Sequence, residues 1–445
     1  MSAQAASEMK AAMAAGETTS RALVSAALDR ILDPAGEGAR AFTAIDPDLA
    51  IQVAERADAA RAAGTVGPLT GVPVSVKCLF DVAGLVTTAG STLFAGNPPA
   101  QADAAIVTRL RAAGAVIMGH TNMTEFAYSG LGMNPHYGTP GNPADRSRIP
   151  GGSSSGAAVS VADGMAAIGI GTDTGGSCRI PAAFCGLVGW KPTARRVPAE
   201  GCFPLSQTLD SIGAIAHSVA DCELADAVMA GEAYDPAPAP ALSGLRFAVL
   251  ENYVLDGLTP HVAAAFDRAL SALAAAGVRI DRITIPDLDR LPELNAHGGL
   301  IAAEALALHR DDLATREAEY DPRVSVRIRK GETMEPGEYE ALLQTRDEII
   351  AEAARITAPY DAVLMPTVAM EAPVIAELDA DEALYGSQNI LALRNTTVGN
   401  FLDRCAISLP IAGDGLPVGL MLMGDTLGDR KLFAVARAVE PVLSR

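Results

Sequence analysis

Helix and strand patterns alternate along the chain, and this alternation restricts the fold class more than any other feature. A helix pattern from Ala263 to Ala275 stops at Gly277 and is followed by a strand pattern from Val278 to Ile285. An earlier helix stops at Gly114 in the same way and precedes a strand pattern from Ala115 to Met118. Repeated alternation is typical of α/β proteins. It predicts a mixed or largely parallel sheet that is covered by helices.

Residues that favour the start of a helix or a strand predict further elements in the N-terminal part of the chain. Ser20 is the predicted N-cap of a helix that ends near Leu32, and a second helix is predicted from Leu49 to Ala63. Asp103 is the predicted N-cap of the next helix. The β-branched run from Gly71 to Lys77 follows a turn, so it predicts a strand that ends near its lysine.

Charge and cysteine content argue against several function classes. The net charge is −19, and a strongly acidic surface disfavours direct binding to nucleic acid or to an anionic membrane. The six cysteines form no C-x-x-C pair and no cluster with zinc-ligand spacing. There is no signal-peptide pattern, and no apolar run approaches the roughly 20 residues of a membrane helix. The sequence therefore predicts a soluble cytoplasmic protein with reduced cysteines.

The chain has 445 residues, which suits one large α/β domain or two fused halves. The one clear compositional break is the proline-rich stretch from Asp235 to Pro240. It fits a linker between domains and a surface crossover within one domain equally well.

Glycine and serine are densest between Pro150 and Pro181. This stretch contains two tight turns, Gly151–Gly156 and Thr172–Ser177, with a helix pattern and a strand pattern between them. Glycine-rich turns let backbone N–H groups converge on an anion or on a reaction oxyanion. Ordinary tight connections have the same composition, so the turns alone do not identify a reaction.

Motifs of other enzyme classes do not fit this stretch. Gly152–Gly156 matches the G-x-S-x-G turn of α/β-hydrolases, but that fold places a histidine near the end of the chain. Here the last histidine is His309, and the final 136 residues contain none. Ser7–Lys10 matches S-x-x-K without its companion motifs, and Gly169–Gly171 lacks the third glycine of a dinucleotide fingerprint.

Because histidine is a poor candidate, another group has to activate a serine. A lysine can act as the base when burial lowers its pKa, and a decrease of about 3 units corresponds to roughly 4 kcal/mol. Lys77 ends a strand that contains Val72, Val74 and Val76. The alternative is a lysine at a sheet edge with its ammonium group in solvent. The residues alone do not separate these two interpretations.

Together these residues resemble the amidase signature family. The family reads G-G-S-S-G-G and, downstream, G-T-D-T-G-G-S-x-R-x-P, and this chain carries Gly151–Gly156 and Gly171–Pro181 with the corresponding serines 24 positions apart. Gly71–Lys77 is similar to the family's G-V-P-x-x-V-K strand. Other similar segments are Thr121–Phe126, Phe184–Thr193 and Gly415–Leu420. The resemblance implies an α/β fold with a central mixed β-sheet covered by helices on both faces. It also implies one domain over residues 1–445, with a helical segment, residues 1–65, packed on it.

The resemblance implies catalytic roles for three residues. Ser177 takes the place of the nucleophile, Ser153 that of a bridging serine and Lys77 that of the general base. The peptide bond before the bridging serine is cis in the family, so the Gly152–Ser153 bond is expected to be cis. A proton would pass from Ser177 through Ser153 to neutral Lys77 and then to the leaving amine. Water would hydrolyse the acyl-enzyme that remains.

The resemblance also implies groups that support this chemistry. The expected oxyanion hole consists of consecutive backbone N–H groups, those of Thr174, Gly175, Gly176 and Ser177. Asp173 and Arg179 are expected to form an ion pair that braces the loop, and Ser154 is expected to form a hydrogen bond within the relay. Two departures from the family pattern are Ser155, in place of a glycine, and Cys178, in place of an aliphatic residue.

Gly152 and Tyr128 are the candidate substrate-binding residues. Specificity is expected to come from two variable segments, Tyr128–His136 and Leu291–Thr357. Tyr128 fits a packed core tyrosine as well as a pocket residue. No apolar helix suited to long acyl chains is evident, which favours a small polar amide.

The resemblance implies an amidohydrolase that cleaves the C–N bond of a small amide and releases ammonia or an amine, without a metal or a cofactor, with a homodimer as a possible assembly. Two alternatives stay open. One is the glutaminase component of a tRNA-dependent amidotransferase complex, from which the loop Asn134–Gly138 departs. The other is a catalytically silent binding module that retains only the scaffold.

Overall fold

The structure, a computed structural model, describes residues 5–444, and within them it contains one sheet of eleven strands. In chain order the strands are β1 Phe42–Ala44, β2 Pro73–Lys77, β3 Val116–Thr121, β4 Ile168–Thr172, β5 Val188–Lys191, β6 Ile212–Ala216, β7 Arg246–Leu250, β8 Arg279–Ile283, β9 Ala362–Pro366, β10 Ala406–Ile411 and β11 Val418–Met423. Across the sheet their order is β1-β3-β2-β4-β6-β5-β10-β11-β9-β7-β8. Four of the neighbouring pairs are parallel and six are antiparallel, so the predicted mixed sheet is confirmed.

Sixteen α-helices are present within the described residues. They are α1 Ala6–Ala14, α2 Ser20–Leu32, α3 Gly38–Ala41, α4 Pro47–Ala62, α5 Ala105–Ala112, α6 Ser155–Ala162, α7 Arg179–Cys185, α8 Val219–Ala230, α9 Pro260–Ala275, α10 Leu291–Leu294, α11 Gly299–Arg316, α12 Pro322–Arg329, α13 Glu338–Thr357, α14 Ile375–Ala380, α15 Glu382–Phe401 and α16 Asp429–Leu443. The α/β alternation predicted for the two helix–glycine–strand segments is confirmed in α5–β3 and α9–β8.

Helices cover both faces of the sheet. Successive side chains of a strand point to opposite faces. In β11, Leu420 and Leu422 belong to one apolar cluster, whereas Met421 and Met423 belong to another. The first cluster includes side chains from α5, α8, α9 and α16, and the second includes side chains from α13 and α15. The arrangement on two faces that the resemblance implies is confirmed.

Two predicted helix caps are wrong. The N-cap of α2 is Thr19, whose hydroxyl accepts a hydrogen bond of 3.1 Å from Ala22 N, and Ser20 is the first helical residue. Asp103 does not cap α5, because its carboxylate instead pairs with Arg111 at 2.9 Å. In α5 the N-cap position is taken by Ala104, which follows Asp103, so residue type alone does not identify the cap and the backbone path decides it.

The predicted N-terminal helical segment includes a strand. Residues 1–4 of that segment lie outside the described residues. Helices α1 to α4 fill most of it, but β1 pairs with β3 at one edge of the sheet. The carboxylate of Asp221, in α8, accepts hydrogen bonds from the N–H groups of Ala6 (2.9 Å) and Ser7 (3.0 Å). An acidic group at this helix start offsets the N-terminal dipole of α1.

Strands from both sides of the proline-rich stretch, residues 235–240, share the sheet, since β5 pairs with β10. The middle of the sheet, where β2 and β4 run parallel, places the carboxyl ends of these two strands side by side. The two glycine-rich turns lie at these ends.

Within residues 5–444, no helix has the length and apolar character needed to cross a bilayer.

Candidate active site

Lys77 ends β2 in the interior of the sheet, between β3 and β4. Its side chain has no solvent exposure, so the interpretation as a lysine at a sheet edge is wrong. Its Nζ donates hydrogen bonds to Ser153 Oγ at 2.7 Å and to Thr172 Oγ1 at 2.8 Å. Burial lowers the pKa of Lys77 from 10.5 to about 8, because desolvation disfavours the ammonium form. A neutral amine is therefore accessible near physiological pH.

The turn that carries Ser153 packs against the segment after β3, backbone to backbone. The Gly152–Ser153 peptide bond is cis, as the resemblance implies. Gly152 N donates to Gly130 O at 2.8 Å, and Thr124 N donates to Ser153 O at 3.1 Å. A Cβ on Gly152 would lie 2.5 Å from Gly132 N, so this position requires glycine. The N–H of Gly152 is used within the protein, and a role of Gly152 in binding a substrate stays a prediction.

Ser177 is buried in the turn that follows β4. Its carbonyl oxygen accepts a hydrogen bond from Ser154 N at 3.2 Å, which ties the two glycine-rich turns together. Its hydroxyl forms no hydrogen bond with any residue between 5 and 444. The contact between Lys77 and Ser153 is thus formed, whereas the step from Ser177 to Ser153 stays a prediction. Catalytic contacts of this kind often tighten only when a substrate binds.

The backbone of the turn presents four consecutive N–H groups, those of residues 174–177. All four residues are buried, yet these N–H groups donate to no acceptor within the described chain. Buried N–H groups are almost always paired, so a run of four needs a physical reason. Convergent N–H dipoles favour a negative charge in front of them. This geometry agrees with the oxyanion hole expected at Thr174, Gly175 and Gly176.

A buried ion pair holds one side of this turn. Arg179 Nη2 and Nε lie 2.8 and 3.0 Å from the carboxylate oxygens of Asp173, and neither side chain is exposed. Asn400, in α15, donates to the same carboxylate at 3.0 Å and accepts from Arg179 at 2.7 Å. Burial alone would raise the pKa of Asp173, but the guanidinium of Arg179 outweighs it and holds that pKa at about 2. The expected ion pair is present.

Helix α15 supports the other side of the turn. Thr396 Oγ1 donates to Gly175 O at 2.6 Å, and Thr397 Oγ1 donates to the same oxygen at 3.3 Å. Gly176 has a φ of 137°, and a Cβ on it would lie 2.1 Å from Thr396 Oγ1. The turn can approach α15 this closely only with glycine.

A family model described as Amidase matches residues 22–433 of this chain. The chain belongs to the amidase family. It is accordingly a hydrolase of carbon–nitrogen bonds other than peptide bonds.

Known proteins similar to this amidase include a deaminase, a subunit of an amidotransferase and an amidase of known crystal structure. The 2-amino-5-chloromuconic acid deaminase of Comamonas testosteroni is 38% identical, over 85% of this chain and 83% of the relative. One of the subunits of the glutamyl-tRNA(Gln) amidotransferase of Acidothermus cellulolyticus is 35% identical, over 97% of this chain and 93% of the relative. A crystal structure of an amidase superposes with a TM-score of 0.88 at 31% identity, covering 99% of this chain and 100% of the other.

Ser154 of the amidase does not take the expected place in the relay. Its hydroxyl donates to the carbonyl oxygen of Thr172 at 3.4 Å and bonds to none of the three candidate catalytic side chains. Cys178, beside Ser177, is fully buried, and burial raises the pKa of its thiol to about 12. A thiol that stays protonated is a poor nucleophile, which supports Ser177 as the reacting residue.

Tyr128 of the amidase is packed, with its ring under the guanidinium of Arg327 at 4.5 Å from the ring centroid. Arg327, from α12, donates through Nη1 to the carbonyl oxygen of Tyr128 at 2.7 Å. Burial raises the pKa of the Tyr128 hydroxyl to about 12, so the phenol stays protonated. A role of Tyr128 in binding substrate stays a prediction, and Arg327 joins it as a candidate.

Sequence reasoning missed the residues that position the site from a distance. Thr172 could have been found, because it ends β4 beside the strand of Lys77 and stands within the glycine-rich motif. Asn400, Thr396 and Arg327 come from helices more than 140 residues later in the chain, and no local pattern connects them with the turn. Asp210 likewise reaches the turn only through the pairing of β4 and β6.

Proposed function

We propose that this amidase hydrolyses a small carboxamide through an acyl-enzyme on Ser177, with Ser153 and Lys77 as the proton relay. The observation that carries the proposal is the 2.7 Å contact between the fully buried Nζ of Lys77 and Ser153 Oγ. Lys77 contacts two hydroxyl groups and no carboxylate, so burial lowers its pKa without the opposing effect of a direct ion pair. Amide hydrolysis also needs stabilisation of the negative charge that forms on the carbonyl oxygen, and the unpaired N–H groups of residues 174–177 can supply it.

The proposed reaction has two halves. In the first, Ser177 Oγ attacks the amide carbon, and its proton moves through Ser153 to Lys77. The negative charge that forms on the carbonyl oxygen faces the N–H groups of residues 174–177. The C–N bond then breaks, and the proton returns through Ser153 to the leaving nitrogen. Ammonia or an amine departs, and the acyl group stays on Ser177.

In the second half, water attacks the ester carbon. Lys77 accepts a proton of that water through Ser153, and the ester bond to Ser177 breaks. The product is a carboxylic acid, and Ser177 regains its proton. No group outside this chain, the amide and water is needed.

The pH dependence of the reaction follows from the base. Lys77 works as an acceptor only when it is neutral, and burial places its pKa at about 8. We therefore expect kcat/KM to rise with pH and to reach half of its maximum near pH 8. The measurement is a pH profile of kcat/KM between pH 6 and 10. A flat profile over this range would contradict a titrating lysine base.

The substrate class is proposed from Arg327. Its guanidinium lies over Tyr128 and, within the described residues, has no carboxylate partner. Tyr128 is followed by Ser129 and Gly130, and the carbonyl of Gly130 accepts from the N–H of Gly152, next to Ser153. A half-buried cation at this place suits an amide that also carries a carboxylate. The named substrate of the Comamonas testosteroni relative is likewise an acid.

The Arg327→Met substitution is expected to lower kcat/KM for succinamate about tenfold or more, because a charge-assisted hydrogen bond is lost. Hydrolysis of neutral succinamide, which is matched in size, should change less than about threefold. Arg329→Met is the control, since Arg329 lies on the same helix but pairs with Glu317 at 2.6 Å. Equal losses on both amides would show that Arg327 does not select for charge.

The function as a whole is tested by ammonia release from the purified chain over aliphatic, aromatic, urea-like and glutamine amides, with Ser177→Ala as the control. Serine-dependent release from a non-glutamine amide is the expected result. Turnover of glutamine alone would favour the glutaminase role, in line with the amidotransferase relative. No release and no labelling of Ser177 by a fluorophosphonate would favour the silent module.

A further inference from the structure

We call residues 174–177, whose N–H groups are unpaired, the oxyanion turn. Asp210 lies opposite this turn because of the register of two strands. The antiparallel pair β4–β6 ends with Thr172 opposite Ile212. Beyond that point Asp173 and Ser211 exchange two backbone hydrogen bonds, of 2.7 and 3.2 Å. One residue further, Thr174 Oγ1 donates to Asp210 Oδ1 at 2.5 Å. The carboxylate of Asp210 therefore holds Thr174, the first residue of the turn, through a hydrogen bond.

Asp210 is itself held in place by the segment that precedes β6. Its second oxygen, Oδ2, accepts from Leu205 N at 2.9 Å, and its own N–H donates to Ser206 O at 2.9 Å. The Ser206 hydroxyl in turn donates to Glu304 of α11 at 2.6 Å. This chain of contacts makes the carboxylate of Asp210 a fixed point for Thr174.

The charge of Asp210 also acts on Lys77, and that of Lys77 on Asp210. The titratable groups that act on Lys77 are Asp210 and three thiols, those of Cys78, Cys178 and Cys202. Burial raises the pKa of each of these thiols, so they stay neutral. Among the described groups around the base, Asp210 is therefore the one that contributes a negative charge.

The ionisation of Asp210 is compatible with this role. Burial raises its pKa to about 6, against the hydrogen bond from Thr174 and the charge of Lys77, which lower it. At pH 8, where Lys77 titrates, the carboxyl group is ionised. Asp173, the other buried acid of the turn, is neutralised by Arg179 at 2.8 Å.

We infer that Asp210 is a positioning residue for the reaction: its carboxylate fixes Thr174 at the start of the oxyanion turn and compensates the charge that Lys77 acquires when it takes up the proton. This inference rests on the proposed function of Lys77. It assigns one side chain to both halves of the site, the oxyanion turn and the base.

The test is a set of pH profiles on the intact chain, with Asp210→Asn, Asp210→Glu and Thr174→Val. Asparagine keeps an acceptor for Thr174 and removes the charge. Its profile should reach half-maximum at a measurably lower pH than that of the wild type, because Lys77 loses an anion that raises its pKa. Thr174→Val keeps the charge, so its profile should stay at the wild-type pH while kcat falls about tenfold. Asp210→Glu should restore the wild-type midpoint.

An Asp210→Asn profile with the wild-type midpoint would overturn the inference, and so would an unchanged kcat in Thr174→Val. If Asp210→Asn does not fold, Thr174→Val and Asp210→Glu still decide, since a shifted midpoint in either one contradicts the assignment. Failure of the proposed function is distinguishable, because the wild type would then show no rise near pH 8. In that case Lys77→Met would also remain active.

Discussion

The Lys77→Met variant is expected to lose about 1,000-fold in kcat/KM, within the range of roughly 100- to 10,000-fold that general-base catalysis contributes. Methionine is unbranched like lysine and only one atom shorter, so most of the buried space beside Ser153 stays filled. The hydroxyls of Ser153 and Thr172 lose their shared partner, and no group remains to accept the proton of Ser177. Steady-state kinetics on the amide identified by ammonia release measures the effect.

Lys191 provides a matched control for this variant. It is also fully buried, and burial lowers its pKa to about 8. Its Nζ, however, donates to two backbone carbonyls, those of Pro192 at 2.8 Å and Arg404 at 2.6 Å. Lys191→Met should cost stability, about 1–3 kcal/mol for each carbonyl left unpaired, while kcat of the folded protein changes less than about threefold. Equal losses of kcat in both variants would mean that the Lys77 effect reports burial and not base catalysis.

The second large effect is expected at the ion pair below the oxyanion turn. Arg179→Met should lower the free energy of unfolding by about 3–5 kcal/mol, because it leaves the fully buried carboxylate of Asp173 without its counter-charge. Asn400 alone cannot replace the two contacts of Arg179. Since Asp173 begins the turn that carries Ser177, the folded fraction should also lose activity. Urea unfolding at pH 7 measures the stability change.

An exposed ion pair supplies the control for Arg179→Met. Arg21 and Glu55 lie 2.9 Å apart, with 61% and 53% of their side chains exposed. Arg21→Met should therefore change stability by no more than about 1 kcal/mol. A cost at Arg179 that is as small as this would show that Asp173 is not ionised in the folded protein.

The same ion pair predicts how the stability of the folded protein changes at acidic pH. The pKa of Asp173 in the folded protein, about 2, lies below its ordinary value of 3.8. Its contribution to stability is therefore fully present above about pH 4 and is lost as the pH falls towards 2. Arg179→Met should lack this contribution. A comparison of urea midpoints at pH 3 and pH 6 in the two proteins checks the sign.

The local features of the site could be predicted from sequence, because they depend on neighbouring residues. Glycine-rich turns at the ends of two strands already indicated converging N–H groups, and the absence of a late histidine directed attention to lysine. The family resemblance then assigned Ser177, Ser153 and Lys77 to their places. The structure brings Lys77 and Ser153 into contact, as that assignment requires.

Predictions that depend on the exact path of a side chain were less successful. Ser154 adjoins Ser153, but its hydroxyl turns to a backbone carbonyl and away from the relay. Asp103 has the right residue type for a helix cap, but an arginine two turns later attracts its carboxylate. A one-dimensional pattern identifies candidates for such contacts and cannot rank partners that only the folded backbone brings close.

By itself, the sequence of this amidase determined the α/β class, the two turns and the candidates for the reacting residues, since each depends on short stretches of chain. The tertiary structure alone decided what surrounds them. Whether Lys77 was buried or solvent-exposed depended on the position of β2 between β3 and β4. That burial in turn lowers the pKa of Lys77 into the range that suits a base. The supports of the turn, Asp210, Thr396 and Asn400, come from other elements, because the strand register and the packing of α15 place them there.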